Sequence, residues 1–209
     1  MGDVGRAARL RVRRRLAVAR HGVGLLERKQ RIVAAEHERL LLRADDLRAE
    51  WEDAAHEADR WARRAAALDG WHALHAAAPA RPPRVTVEPG RVMGIEFPNE
   101  ARLDGTPPRP AGGGSALAYA SRAMGAALEA AVAYAAVRRA AVTMHAELVA
   151  TRTRRRAIEH RWIPALEAEL ERIEGALEEL EREESLRVRW AADGARPARQ
   201  RGTREGATP

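Results

Sequence analysis

The sequence predicts an all-α fold: a long antiparallel two-helix coiled coil, formed by an N-terminal and a C-terminal helix, with a short β-hairpin or loop inserted between them. Three observations predict it. Apolar residues recur every seven positions through two long stretches, which is the seam of a coiled coil. The helix-breaking prolines gather mostly between those stretches. Large apolar side chains are scarce, because the hydrophobic 45% of the 209 residues is rich in alanine and only 4% are aromatic. That supply favours a seam over the apolar volume of a compact core.

The first helix is expected over residues 8–77, after a disordered start at 1–7. A seven-residue count from Val12 lands on Ala19, Leu26, Val33, Leu40, Leu47, Ala54, Trp61 and Leu68, all apolar. Its companion runs Leu16, Val23, Gln30, His37, Ala44, Trp51, Ala58 and Ala65. At ~1.5 Å per residue such a helix would be on the order of 100 Å long. Pro79, Pro82 and Pro83 end it, each lacking an amide donor and restricting the residue before it.

Residues 78–114 form a Pro/Gly-rich insert. "RVTVEPGRVMGIEF" holds two short β-branched runs around Pro89-Gly90, a pair that suits the centre of a type II turn, so a small hairpin is expected here. The remainder, "PNEARLDGTPPRPAGGG", is expected to be mobile, and Ser115 to cap the second helix.

The second helix is expected over 115–190. Its clearest stretch is "IPALEAELERIEGALEEL", where Ile163, Leu166, Leu170, Ile173, Leu177 and Leu180 step by three and four while the glutamates stay off the seam. Counting back in sevens gives Leu128, Ala135, Val142 and Val149 in one row, and Met124, Ala131, Arg138, His145 and Arg152 in the other. Pro164 reads as a kink held by the contacts around it. Folding back would set residues 163–180 against residues 19–33, put Leu68 near Met124 and bring both chain ends to one tip. The tail, 191–209, reads as disordered.

The chemistry that this composition excludes is broad. There is no cysteine, hence neither disulfide nor thiolate chemistry. No apolar run reaches the ~20 residues of a membrane span, and the N-terminus lacks a signal-peptide core. A net charge of +7 invites a nucleic-acid reading, but 30 acidic residues alternate with 37 basic ones, as on a solvated helix surface. His72 and His75 share a helical face without a third ligand in view, and "GGGS" at 112–115 has no phosphate-loop lysine. No catalytic, cofactor-binding or metal-binding residues are assigned.

Three blocks carry a family resemblance. The run "RRLAVARHGVGLLERK" resembles the D subunit of V-type and archaeal-type rotary ATPases, with Ala19, Gly22, Leu25-Leu26 and Lys29 at that family's spacing. "VMGIEFP" is similar to its short glycine-containing strand, and "AIEHRWIPALEAELERIEGALEELEREESLRVRW" to its C-terminal signature, Ile163-Pro164 being the most telling element. Arg155-Arg156 departs from the family's usual Val-Asn.

The resemblance implies a non-catalytic central stalk that carries torque between an ATP-hydrolysing head and a membrane ring. The protein would be cytoplasmic and peripheral to the cell membrane. The tip would turn inside the hexamer of A and B subunits, with Arg11, Arg13, Arg14 and Arg15 on the first helix and Arg187 and Arg189 on the second as an arginine collar facing it. Val92, Met93, Gly94 and Ile95 of the hairpin would contact partners at the base, namely the F subunit and the C (or d) subunit that caps the ring. The competing reading is a coiled-coil scaffold or adaptor without an ATPase, which would have no need of the hairpin or of Ile163-Pro164.

Overall fold

The computed structural model of the chain describes residues 5–79, 81–104 and 113–202, with side chains described as far as residue 192. Helix α1 runs Arg6–Ala76, strands β1 and β2 run Arg84–Val92 and Ile95–Asp104, helix α2 runs Ser115–Ala157, a π-helical turn covers Ile158–Trp162, and helix α3 runs Ile163–Gly202. The predicted class holds: a long N-terminal helix packs with a C-terminal helical stretch, and an antiparallel hairpin lies between them in sequence. The helix continues past Trp190, where the sequence reading ends it. The expected mobile stretch falls partly in β2 (residues 98–104) and partly at 105–112, which lie outside the described residues, as do 1–4 and 203–209.

Two compact units make up the chain. Unit 1 contains residues 1–25 and 154–209, and unit 2 contains residues 26–153. In unit 1, Ala8, Val12, Leu16 and Ala19 of α1 bury against Leu166 and Ile173 of α3, with Ile158, Ile163, Leu170 and Leu177 packed around them. The pairing is antiparallel, as the cross-helix pairs Arg6–Glu181, Arg13–Glu174 and Arg20–Glu167 show. Residues 163–180 therefore lie along α1 from about its first turn to just past Arg20, and meet the expected 19–33 only at its start. Period alone fixes which residues face the seam but leaves the sliding register to these longer contacts.

Unit 2 adds a third element. Val33, Leu40 and Ala44 of α1, Val137, Ala140, Ala141, Met144 and Leu148 of α2, and Ile95 and Phe97 of β2 form one cluster. Trp51 stacks on Tyr134 with ring centroids 5.7 Å apart, and Trp61 stacks on Tyr119 at 4.6 Å. Near the start of α2, Ala65 packs with Ala116, Leu117 and Ala120. The Gly114 carbonyl accepts the first helical bond and its N–H reaches Asp69 Oδ1 at 3.3 Å, so the cap falls on Gly114 instead of Ser115. Inside α1, Gly70 takes φ 82°, ψ 158°, a break for which a side chain would be strained.

The hairpin turns at Met93-Gly94, not at Pro89-Gly90. Val92 pairs with Ile95, and the two intervening residues have φ of 50° and 78°, the doubly positive geometry of a two-residue turn that follows strand twist. Pro89 sits at the register shift of β1, where a missing donor is tolerated. A Cβ on Gly90 would lie 3.1 Å from the Phe97 ring, so glycine there lets the ring approach the strand.

The seam of the second helical stretch differs from the count made back from residue 163, and by one residue throughout. Buried positions are Ala120, Val137, Ala141, Met144, Leu148 and Thr151, whereas Leu128, Val142 and Val149 are exposed at 42%, 53% and 47%. The cause is the π turn. It holds one residue more than an α turn, and the Ile163 N–H donates to the Ile158 carbonyl across it. Pro164 follows at once and could not donate to the residue four before it, so the wide turn falls where the α ladder is interrupted in any case. The step from Ile158 to Ile163 is five residues long, and every count carried through it slips by one.

Candidate partner interfaces

The arginines expected to form an outward collar are all exposed, and several of them also pair within the chain. Arg13 pairs with Glu174 at 2.5 Å and Arg15 with Glu169 at 3.6 Å, so these two tie α1 to α3. Arg187 pairs along its own helix with Glu183 at 3.6 Å. Arg11, Arg14 and Arg189 have exposed side chains. Because Arg6 pairs with Glu181, α3 continues beyond the start of α1, and Leu180 at 53% exposure marks where the seam loses its partner. Further along, Leu186, Val188 and Trp190 are exposed at 49%, 64% and 74%. These three were not singled out from the sequence. The signal was present in Leu186 and Trp190, one turn apart and past the end of the seam count.

In the hairpin, Ile95 is buried and the half-buried Val92 packs against the same cluster, so both anchor the hairpin to the helices. Met93, exposed, and Gly94 form the outward turn. Val85 and Val87 of β1 are also exposed.

A third surface follows from the one-residue slip. Leu128, Ala135, Val142 and Val149 keep their seven-residue spacing but sit on the flank of α2 opposite that of the buried Ala136 and Ala140. An exposed heptad row of this kind suits a further helix. Of the seam expected on α1, Val33 and Leu40 are buried and Leu26, Leu47 and Trp61 half-buried, while Leu68 is exposed. At the level of Leu68, α2 is only starting, and Ser115 and Ala116 offer nothing large enough to cover it. Met124, expected beside Leu68, is exposed as well. On α3, Leu166 and Ile173 are buried and Ile163, Leu170 and Leu177 half-buried.

The polar chemistry is that of a surface. His37 and His145 face each other across unit 2 with ring centroids 5.3 Å apart. Desolvation first, then His145 and Arg152, push the His37 pKa below its ordinary value, with Glu38 opposing. Arg39 donates two hydrogen bonds to Glu36, at 2.6 and 2.9 Å, and holds that carboxyl below the usual carboxylate range. His75 Nδ1 lies 2.8 Å from the Trp71 carbonyl, a hydrogen bond to its own helix. Among the described residues no cluster of three or more His, Cys, Asp or Glu could hold a metal ion, and no helix is long and apolar enough to cross a membrane.

Antiparallel helix pairing and a docked hairpin define the class: a helical-hairpin protein with three exposed surfaces among the described residues. Comparison with known proteins gives the family. A family model for the ATP synthase D subunit matches residues 8–193. The V-type ATP synthase D subunit of Anaeromyxobacter sp. (strain K) is 34% identical over 200 residues, covering 90% of this chain and 95% of the relative. Its counterpart in Anaeromyxobacter dehalogenans (strain 2CP-1) matches to the same extent, and that of Anaeromyxobacter sp. (strain Fw109-5) is 33% identical over 188 residues, 86% and 87% of the two chains. The chain belongs to the family of ATP synthase D subunits.

Proposed function

We propose that the chain is the central rotor shaft of a V-type ATP synthase, a non-catalytic component that carries torque between the A/B catalytic hexamer and the ion-translocating membrane ring. The observation that supports this best is the construction of unit 1. Its two terminal segments form one antiparallel pair, braced by Arg13–Glu174 and Arg20–Glu167, and α3 runs on past the start of α1. An element that turns inside a sleeve needs a braced stem and a surface of exchangeable charge contacts. Arg11, Arg14 and Arg189 supply that surface toward the hexamer, with Arg187 beside them. Leu186, Val188 and Trp190 add apolar contact at the end.

The exposed row Leu128, Ala135, Val142 and Val149 suits the F subunit as a stalk partner. The turn at Met93-Gly94 and the exposed Val85 and Val87 suit a second contact, with F or with the C (or d) subunit that caps the ring. The protein would then lie peripheral to the membrane, in the cytoplasm, as part of the complex.

The test is recovery of the tagged chain from its native membranes after gentle release, with the associated proteins identified by mass spectrometry. Recovery of A, B, F and C subunits is the expected result. Recovery of unrelated proteins without any ATPase component would leave a scaffold as the better account.

A further inference from the structure

Glycine inside a helix calls for a reason, because each lowers local helix stability about fivefold relative to alanine. Gly22 and Gly24 lie deep inside α1, and a Cβ built on either would meet nothing within 4 Å. Close packing therefore does not require them. The opposite helix is interrupted at the same level. Arg20 pairs with Glu167, and Ala19 packs in the cluster that holds Leu166, Ile163 and Ile158, so the next turn of α1 lies alongside Pro164 and the π turn. In this stretch of unit 1 no residue from 20 to 25 and none from 154 to 165 is buried. Segments with few buried apolar contacts open most readily.

We propose that Gly22 and Gly24 of α1, together with the π turn Ile158–Trp162 and Pro164, form a single compliant joint at which both helices of unit 1 open locally while the packing of Leu166 and Ile173 stays intact. The inference does not rest on the proposed role in a rotary complex. Its physical content is that two independent weaknesses, one on each helix, coincide at one level and open together. An accidental bulge would weaken its own helix only.

Hydrogen–deuterium exchange of the full chain, read by mass spectrometry, tests this. Amides of 20–25 and 158–166 should exchange at least tenfold faster than those of 9–16 and 168–177. Two variants then separate a joint from two unrelated soft spots. Deleting His160, which is exposed, removes the extra residue and lets the turn become α-helical, with Leu166 and Ile173 still in phase with the seam. Exchange should slow about tenfold across the π segment and also in residues 20–25. The double substitution Gly22→Ala/Gly24→Ala, which adds only unopposed methyl groups, should slow exchange in residues 158–163 as well as in its own helix. Equal protection of the joint and its flanks in the parent chain would overturn the proposal. So would slowing confined, in both variants, to the helix that carries the change.

Discussion

The two units solve the same problem with different means. Both place an alanine-rich α1 against a second helix, and alanine leaves little to bury on either side. Unit 1 answers with charge: among the described residues Arg6, Arg13, Arg15 and Arg20 of α1 pair with glutamates of α3, around a core whose larger members are Val12, Leu16, Leu166 and Ile173. Unit 2 has the salt bridge Lys29–Glu147 at 3.7 Å, but its main answer is volume. The hairpin lays Ile95 and Phe97 onto the helices, and two aromatic stacks fill the pair further along. A heptad seam of small residues thus needs either a third element or a charged margin, and this chain uses one in each unit.

The largest effect should come from removing the hairpin's anchor. Phe97 is 5% exposed and is the buried aromatic member of the unit 2 cluster, so Phe97→Ala should cost about 3–5 kcal/mol through lost burial and the cavity left behind. Urea denaturation would measure it, and proteolysis within β1 should become faster as the hairpin leaves the helices. A loss under about 1 kcal/mol, well below that range, would break the comparison, because unit 2 would then be held by its two helices alone.

How much of this was legible follows from which local rules were interrupted. On α1 the count from Val12 lands on buried or half-buried residues as far as Trp61, since nothing interrupts the α-helical phase before Gly70. On the second helical stretch the count fails at one place for one reason. The π turn adds a residue, so Thr151, Met144 and Val137 occupy the seam where Arg152, His145 and Arg138 were expected. A proline inside a strong heptad was the available clue, but a kink and a wide turn look alike in one sequence. The hairpin's existence was legible from its β-branched runs, whereas its turn was not, because a methionine at positive φ has no sequence signature and Pro89-Gly90 has a strong one. The arginines near the tip were legible as charge only. Which arginines pair across to α3 depended on the register, and no heptad count supplies that.

The next effect is smaller and sharpens the role of charge in unit 1. Arg13 and Arg20 are 53% and 61% exposed at the side chain, so solvent screens both pairs and each contributes ~0.2–1 kcal/mol. The double substitution Arg13→Ala/Arg20→Ala should therefore cost roughly 1 kcal/mol at low salt, by the same measure of exposed pairs. Near 1 M salt, where the screening length falls to about 3 Å, the variant and the parent should converge. A difference that persists at high salt would mean that the arginine stems act by packing, and the contrast between charge in unit 1 and volume in unit 2 would weaken.

The smallest effect belongs to unit 2 and vanishes at neutral pH. His37 faces His145, with Arg152 nearby on α2 and Glu38 adjacent on α1, and desolvation is the first cause of its lowered pKa. Its ordinary value is 6.5, so below that pH the unfolded chain takes up a proton more readily than the folded one. The stability this histidine contributes is fully present above about pH 7.5, begins to fall as pH drops past its ordinary value, and is lost once pH passes its lower folded value. Melting temperatures measured from about pH 7.5 to about pH 5 on the parent and on His37→Gln should coincide at the upper end in their pH dependence, then diverge, with the parent falling more steeply. Parallel profiles across the whole range would show that the paired imidazoles reach solvent freely. In that case the seam of unit 2 is no drier at this level than the surface of unit 1, and the difference between the units rests on the hairpin alone.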